Sequence, residues 1–512
     1  MAFSPLSVWA QNKAISGTVF DETNEPVPGA SVVIKNTTVG TITDIDGKYT
    51  IDAPANATLV YSFLGYKPKE EKVNGRSLIN VIMAVDETTL DAVVVVGYGT
   101  QKKVTLTGAV AGLKGDEMLK TKNENPQNML TGKIAGVRVW QKSAEPGTFN
   151  NSFDIRGLGA PLIIIDGIPR TTEEFQRMNA NDIDDISVLK DASAAIYGVR
   201  AANGVVLVTT KKGSKDGKTS ISYNGSFTLQ RPSGMPKLAD PFETMALYNE
   251  RANNINNDGK YVPVYGDSQF EAYRNGSKRI TDWNSLIFSE SSPQTQHDVS
   301  VSGGNEKTQY YIGLGYFFQE GFFKSGDLNY EKYNLRANIN TQVAKGLTFD
   351  VSLSGIADER NNPYTSTVDI IRSYWRQGVL HPAYADPENT MLNYGGLELD
   401  ENPVALMNSD VSGYRKYKQK YFQSSATLNY DLGTITPVLK GVSLKGMFSY
   451  DYRMDNNELY RREYYQYAYN EQTNLYDKRL YDASWPTQLR KEMYDKQQTL
   501  TQFLINYNRT FG

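Results

Sequence analysis

The chain has 512 residues, enough for two to four domains, and its net charge of −3 (54 basic and 57 acidic residues) provides no basic field for nucleic acid. It has no cysteine and only two histidines, which excludes disulfides, iron–sulfur clusters and thiol catalysis and argues against a histidine-based metal site. A mean hydropathy of −0.49, with no run of about 18 apolar residues, excludes a transmembrane helix but not a transmembrane β-barrel, whose strands are only half apolar.

The N-terminus is short and apolar and ends in Val8-Trp9-Ala10, which suits cleavage by signal peptidase. The basic segment that normally precedes the apolar part of a signal peptide is missing, so an N-terminus that is apolar by chance is the alternative. We expect residues 1–10 to be part of a signal peptide and the mature chain to begin near Gln11.

Residues 14–84 alternate short β-branched runs with turn clusters. About seven strands in such a length are typical of a small, immunoglobulin-like β-sandwich. The segment resembles the carboxypeptidase-regulatory-like domain through Gly17-Thr18-Val19, Pro28-Gly29-Ala30 and Asp46-Gly47. This resemblance implies an accessory module without catalytic residues.

Residues 86–99 contain Val93–Val96, four consecutive valines that strongly favour an extended strand. One interpretation is a buried core strand. We favour an unpaired strand that adds itself to the edge of a partner's sheet, because the run stands alone between two larger units. Leu90–Gly99 resembles the TonB box of SusC/RagA-type TonB-dependent outer-membrane transporters, and the resemblance assigns the box to Asp91, Ala92, Val93, Val94, Val95 and Val96.

Residues 100–212 carry further motifs of that family in the expected order, and together they resemble its α+β plug domain. The motifs are Leu130–Val137, Ile155–Gly157, Pro161–Pro169, Leu189–Gly198 and Arg200–Val205. We expect the glycines to set turns and close packing, and Arg156 and Asp166 to lie on a polar plug surface that faces a hydrated barrel wall. The plug motif residues are Arg156, Gly157, Asp166, Gly167, Tyr197, Gly198, Asn203 and Gly204.

From residue 218 onward, apolar and polar residues alternate with a period of two. Ile221, Tyr223 and Phe227, for example, alternate with serine, asparagine and threonine. Alternation alone also fits a soluble sandwich with one wet face. The pattern predicts eight strands, at residues 219–230, 297–303, 307–319, 329–341, 347–357, 418–430, 442–453 and 497–509.

The connections between these strands sort by length. The odd-numbered connections are residues 231–296, 320–328, 358–417 and 454–496. The even-numbered connections are residues 304–306, 342–346 and 431–441. All the very long connections are odd-numbered, as in a transmembrane barrel with short periplasmic turns and long outer loops, and a sandwich gives no reason for such sorting.

The resemblance implies 22 strands around a plug, whereas about eight are predicted here. A closed eight-stranded barrel is filled by its own side chains, so a plug could not fit inside it. We therefore expect a mainly β chain whose barrel is incomplete, completed either by missing sequence or by a second polypeptide. The expected segments are a partial signal peptide (1–10), the sandwich (14–84), the TonB-box linker (86–99), the plug (100–212) and the incomplete antiparallel transmembrane barrel (218–512).

The resemblance implies a nutrient importer of the outer membrane, with the plug and the N-terminal domain on the periplasmic side. The implied partners are TonB with its ExbB/ExbD motor, a SusD-like lipoprotein, outer-membrane lipid, and an oligosaccharide or other nutrient. We expect no cofactor, no catalytic residue and no metal site. Aromatic side chains of the long loops are candidates for sugar contact, with loop cores or an interfacial aromatic belt as the alternative: Trp283, Tyr374, Trp375 and Trp485.

Two other functions compete with import. A surface adhesin or receptor without transport would need neither a TonB box nor a plug, so residues 86–99 and 130–212 count against it. A secreted hydrolase is the third reading, but no motif locates a catalytic carboxylate pair.

Overall fold

The computed structural model describes residues 12–509 except 23, 36, 38, 64–65, 85–92, 97–98, 103–109, 236, 256–260, 387–393, 396–400, 471 and 482–485. The predicted signal peptide, Asp91, Ala92 and Trp485 lie outside the described residues. The chain divides into two compact units, residues 1–109 and residues 110–512. Among the described residues, no helix has the length and apolar character needed to cross a membrane.

The first unit contains the predicted β-sandwich. Its sheets have the strand orders β4-β1-β7 and β3-β2-β5-β6, formed by β1 (Asn12–Asp21), β2 (Ser31–Ile34), β3 (Gly40–Ile42), β4 (Lys48–Pro54), β5 (Thr58–Ser62), β6 (Lys69–Lys72) and β7 (Val81–Met83). Alternate residues of β4 and β5 are buried between the sheets, as a period of two requires. Tyr49 and Tyr61 meet in this core, their hydroxyl oxygens 2.6 Å apart, so the buried phenols satisfy each other.

The valine run forms strand β8 (Val93–Val96), which is extended as predicted. The expectation that it is unpaired is wrong, because it pairs antiparallel with β9 (Gly99–Lys102), from Val93 opposite Lys102 to Val96 opposite Gly99. A local hairpin satisfies one edge of each strand. β8 forms a two-stranded sheet with β9, so in the described chain its second edge carries no ladder.

The second unit begins with the α+β domain, which we call the plug. Its elements are β10 (Val110–Lys114), α1 (Gly115–Met118), β11 (Val137–Trp140), β12 (Ser152–Ile155), β13 (Leu162–Ile165), β14 (Ile168–Arg170), α2 (Thr172–Arg177), β15 (Ile183–Leu189) and β16 (Val205–Thr210), with 3-10 helices at Asn128–Leu130, Ala180–Asp182 and Asp191–Ala201. A five-stranded sheet has the order β10-β15-β16-β13-β14, in which only β13 and β16 run parallel. Strands β13 and β16 are buried along nearly their whole length, which explains their continuous apolar sequences.

The rest of the second unit contains the strands β17 (Ser220–Gln230), β18 (Ser292–Gly304), β19 (Thr308–Glu320), β20 (Asn329–Ala344), β21 (Leu347–Pro363), β22 (Tyr394–Gly395), β23 (Gly413–Asp431), β24 (Val442–Arg461), β25 (Tyr465–Asn470), β26 (Leu475–Leu480) and β27 (Gln488–Tyr507). Eight of them form one antiparallel sheet, the wall sheet, in the order β17-β18-β19-β20-β21-β23-β24-β27. The eight predicted strands and an incomplete barrel are therefore confirmed, with β17 and β27 at the open edges.

The long connections all leave the same end of the wall sheet and carry the helices α3 (Pro241–Ile255), α4 (Asp267–Arg274), α5 (Trp283–Ile287), α6 (Thr367–Arg376), α7 (Pro403–Leu406) and α8 (Ser409–Ser412). Helices α5, α6 and α7 pack with the 321–328 connection around a common apolar core, and we call this assembly the loop lobe. The short connections at the opposite end are residues 305–307, 345–346 and 432–441. The predicted sorting of connections by length therefore corresponds to two different ends of one sheet.

Candidate interface between the plug and the wall sheet

The wall sheet has an inverted burial pattern. On β20 the apolar Leu335 and Ile339 are 46% and 43% exposed, whereas the charged Lys332 and Arg336 are 3% and 4% exposed. The exposed apolar face suits lipid, and the polar face is covered by the plug. The contact between plug and wall is therefore built largely from charged and amide side chains, together with an aromatic contact between Phe149 and Tyr330.

Helix α2 carries the charges of the plug that point at the wall. It begins with a capping box, in which the side chain of Thr171 accepts from the Glu174 amide and the Glu174 carboxylate accepts from the Thr171 amide. This start fixes the helix so that Arg177 reaches Asp358 of β21, to which it donates a charge-assisted hydrogen bond. Arg177 also lies 3.1 Å from Glu173 and stacks 4.3 Å from the ring centre of Phe149.

Strands β23 and β24 hold the other side of α2. Arg453 donates to Glu173 at 2.9 Å, and the Gln423 amide donates to Glu174 at 3.0 Å. Just before the helix, Arg170 donates to Asp451. The ion pairs thus run in both directions: in some the positive charge belongs to the plug, and in others it belongs to the wall. Burial alone would raise the pKa of Glu173, but Arg177 and Arg453 outweigh it and lower that pKa, so the carboxylate is held in its charged form.

A second polar patch lies beside β18, β19 and β20. The Asp298 carboxylate accepts from Asn179 at 2.6 Å and from Asn181 at 2.7 Å. Asp182 accepts from the Tyr311 hydroxyl at 2.9 Å and lies 3.7 Å from Arg336. Burial raises the pKa of Asp182, and Arg336 opposes that rise. Plug and wall therefore satisfy each other's buried polar groups over a broad surface.

Asp166 is a plug motif residue that lies at this interface. It occupies the turn between β13 and β14 with a φ of 50°, followed by Gly167 with a φ of 87°, and an Asp-Gly pair suits such a hairpin. Its carboxylate accepts from the amide and hydroxyl of Thr210 at 2.9 and 2.8 Å and lies 3.6 Å from Arg336. Asp166 thus fixes the plug sheet and faces the wall.

The other plug motif residues lie in turns and close contacts. Arg156 and Gly157 form an exposed turn after β12, with φ values of 54° and 79°. The Asn203 amide donates to the Ala160 carbonyl oxygen at 3.3 Å. Gly204 has a φ of 91°, and a Cβ there would approach Ile155 within 2.8 Å.

Tyr197 and Gly198 lie in the 3-10 helix Asp191–Ala201, where Gly198 has a φ of 69° and interrupts the helix. Its conformation is one that few residues other than glycine adopt. Both residues therefore belong to the segment of the plug that leads into β16.

The candidate loop aromatics differ in their exposure. Trp283 and Tyr374 are fully buried in the loop lobe, where the Trp283 indole donates to the Gly378 carbonyl oxygen at 3.1 Å and Tyr374 donates to Asn284. Both side chains therefore fill a loop core, which is the alternative to sugar contact, because the α6 face that carries Tyr374 packs inward. Trp375, the next residue of α6, is 58% exposed.

The charged residues that join plug and wall were not predicted as site residues: Arg170, Glu173, Glu174, Arg177, Arg336, Asp358, Asp451 and Arg453. The alternation of apolar and polar residues could have indicated the wall residues of this set, because Asp358 and Asp451 occupy polar positions that must point inward. No sequence signal indicates which arginine of the plug each of them meets.

Two family models match the chain. One, described as CarboxypepD_reg-like domain, matches residues 15–95, and the other, described as TonB-dependent Receptor Plug Domain, matches residues 102–205. These ranges contain nearly all of the described sandwich and most of the plug.

Relatives and solved structures extend the similarity into the wall sheet. TonB-dependent receptor P26 of Formosa agariphila is 40% identical over 451 residues, covering 81% of this chain and 44% of the relative. TonB-dependent receptor SusC of Bacteroides thetaiotaomicron is 37% identical over 350 residues, covering 66% of this chain and 33% of the relative. The chain thus spans less than half the length of these relatives. The RagAB peptide importer in its open-open state shares the fold, with a TM-score of 0.64, 24% identity and coverage of 81% of this chain and 46% of that chain.

Proposed function

Because the chain belongs to the SusC/RagA-type TonB-dependent receptors of the outer membrane, we propose that it acts in TonB-dependent import of oligosaccharides. The observation that carries the proposal is the charged interface between plug and wall. In our proposal the plug is a stopper, and its release opens the path. Catalysis has no part in this proposal.

A charged interface suits a part that must move. When an apolar interface opens, its surfaces meet water at a cost of about 25 cal/mol per Å². When Arg170 and Asp451 separate, water can solvate both groups, so much of the lost attraction is recovered. The plug can therefore be held in place and yet be displaced by a modest force.

The force would enter through strand β8. Within the described residues it pairs with β9 on one side only. Its second edge can therefore add to a sheet of TonB, which the ExbB/ExbD motor would pull. This mode needs main-chain hydrogen bonds and no particular side-chain chemistry, which fits a segment of plain valines.

The loop lobe is the proposed contact for a SusD-like lipoprotein, because it forms a packed surface at the end of the wall sheet where ligand would enter. We propose an oligosaccharide as the ligand because the chain resembles SusC-type receptors. A peptide is the second candidate, because the structural neighbour RagAB is named a peptide importer. An adhesin without transport is disfavoured, because it has no use for a plug bound through ion pairs.

The test is a pair of proline variants in the hairpin. Val94→Pro with Val95→Pro removes two main-chain donors of β8, whereas Thr100→Pro with Gln101→Pro removes the two opposite donors of β9. Cells that produce each variant are assayed for uptake of fluorescently labelled neutral and acidic oligosaccharides. Membrane levels of the receptor are measured in parallel.

We expect the β8 variant to lose uptake at an unchanged membrane level and the β9 variant to retain most of it. Full uptake by the β8 variant would contradict the role of this strand. Equal loss in both variants would show that the hairpin as a whole, and not the valine strand, is required.

A further inference from the structure

Two arginines lie on the inner face of the wall sheet at the end where the long connections leave. Arg360 is near the end of β21 and Arg415 near the start of β23. Arg360 is opposite Tyr417, and Arg415 is opposite Asn362, so the two arginines are diagonal neighbours on one face. Their face is the one that carries Asp358 toward the plug, because residues 358, 360 and 362 alternate with outward-facing ones.

Each of these arginines is stacked on a tyrosine. The Arg360 guanidinium lies 4.5 Å from the ring centre of Tyr417, and that of Arg415 lies 4.9 Å from the ring centre of Tyr364. Stacking fixes the plane of a guanidinium and leaves the N–H groups at its edge free to form hydrogen bonds. A fixed fork of donors is the arrangement that binds carboxylate and sulfate groups in two places at once.

Arg360 and Arg415 differ from the other arginines at the contact between plug and wall in how their charges are balanced. Arg170, Arg177 and Arg453 each have a carboxylate within 4.0 Å. Within the described parts of the chain, no ion pair of that length involves Arg360 or Arg415. Two like charges in neighbouring positions repel each other, so the wall retains an arrangement that an added anion would stabilise.

Unpartnered polar atoms lie at the same place. Asn362 is 7% exposed and its side-chain oxygen has no hydrogen-bond partner, and the buried Nε of Arg415 has none. Unsatisfied buried polar groups are costly, and a ligand that carries both acceptors and hydroxyl donors would satisfy them.

We propose that Arg360 and Arg415 bind the carboxylate or sulfate groups of an acidic oligosaccharide, with Tyr417 and Tyr364 lying against the sugar rings. This inference rests on the proposed import function and narrows its substrate class. The acidic group supplies the charge that the arginines lack, and the hydroxyl groups of the sugar supply donors to Asn362.

The site also touches the plug. Arg360 donates to the Thr148 hydroxyl at 3.1 Å, and the Asn362 amide donates to Glu145. An anion bound to these arginines lies beside the Glu145 carboxylate and repels it. The ligand thereby weakens a contact between plug and wall from the outer side, before any force acts on β8.

The experiment compares two double variants of the full protein purified in detergent. Arg360→Gln with Arg415→Gln removes two positive charges from the inner face, and Lys416→Gln with Lys418→Gln removes two from the outer face of β23. Binding of tetragalacturonate, a sulfated carrageenan tetrasaccharide, maltotetraose and triglutamate is measured by titration calorimetry. The first two probes distinguish carboxylate from sulfate, and the last two represent a neutral sugar and an acidic peptide.

We expect the inner-face variant to bind the preferred acidic tetrasaccharide roughly 10- to 100-fold more weakly than the unsubstituted protein, because each charged hydrogen bond contributes substantially. The outer-face variant should bind it as the unsubstituted protein does. Unchanged binding in the inner-face variant, or no preference of the unsubstituted protein for acidic over neutral sugar, overturns the inference. In that case TonB-dependent uptake of maltotetraose would leave the proposed function standing, whereas binding of triglutamate alone would overturn the oligosaccharide class.

Discussion

Substituting Asp358 tests whether charges hold the plug to the wall. Arg177 and Asp358 are 7% and 3% exposed, so solvent screens their attraction little. Removing one member of a buried pair usually costs about 3–5 kcal/mol, because the other charge is left uncompensated. In Asp358→Asn the guanidinium keeps Glu173 at 3.1 Å, so we expect a smaller loss, roughly 2–3 kcal/mol in the free energy of plug unfolding.

The neighbouring residue provides the matched control. Glu359 is on the opposite face of β21 and pairs with Lys418 at 3.1 Å, with both side chains partly exposed. Such a surface pair contributes about 0–1 kcal/mol, so Glu359→Gln should change little.

The assay is urea denaturation of the protein in detergent micelles. A fluorophore is placed on a single cysteine that replaces the exposed Lys142 of the plug, and the label is unique because the chain has no other cysteine. The shift in midpoint multiplied by the slope gives the change in free energy. If Asp358→Asn and Glu359→Gln agree within about 0.5 kcal/mol, then buried charge does not hold the plug, and the reasoning is refuted.

Three further outcomes are expected. Gly147→Ala should destabilise the plug by roughly 1–3 kcal/mol more than Gly132→Ala in the same assay. Both glycines have a positive φ, but of the two only Gly147 lies where an added Cβ would overlap a wall side chain, the ring of Tyr330. The lowered pKa of Glu173 means that its stabilisation is present above the ordinary value of 4.5 and is lost as the pH falls through the lowered value, so acid titration of plug release should be flatter in Glu173→Gln. Trp283→Ala should expose the loop lobe to trypsin and Trp375→Ala should not, and equal cleavage of the two variants would contradict the buried role of Trp283.

The wall strands could be predicted from the sequence because one face meets apolar surroundings and the other polar ones. Their ends could not. Strand β24 was predicted to end at residue 453 but continues to Arg461, opposite Gly413. Residues 455–458 are polar on both faces, so the alternation is lost there while the ladder of hydrogen bonds continues. The loop lobe was missed for a related reason. Its helices are short, and their apolar faces can be recognised as a core only once the helices are packed together.

Only part of the candidate interface could be predicted from the sequence. Asp166 could be placed in a turn that faces the wall, since Asp-Gly is a strong turn signal. The partner of Arg177 could not be found, because Asp358 is distant in sequence and the pairing depends on how the plug sits against eight strands. Charge pairing is short-ranged in space and carries no periodicity along the chain, so only the assembled fold reveals it.

The arginines at the contact between plug and wall form two sets, and the difference between the sets relates structure to transport. The guanidinium groups of Arg177 and Arg453 donate to carboxylates of this chain, and these ion pairs hold the plug against the wall. Arg360 and Arg415 lie on the inner face of the wall sheet, nearer the end where the long connections leave, and have no such carboxylate in the described chain. A ligand can therefore use their charge without first breaking an internal pair. A ligand at Arg360 would disturb the Thr148 and Glu145 contacts while the pairs of Arg177 stay intact. Binding alone should then loosen the plug at its outer edge and leave it in place, so that opening still requires the pull on β8.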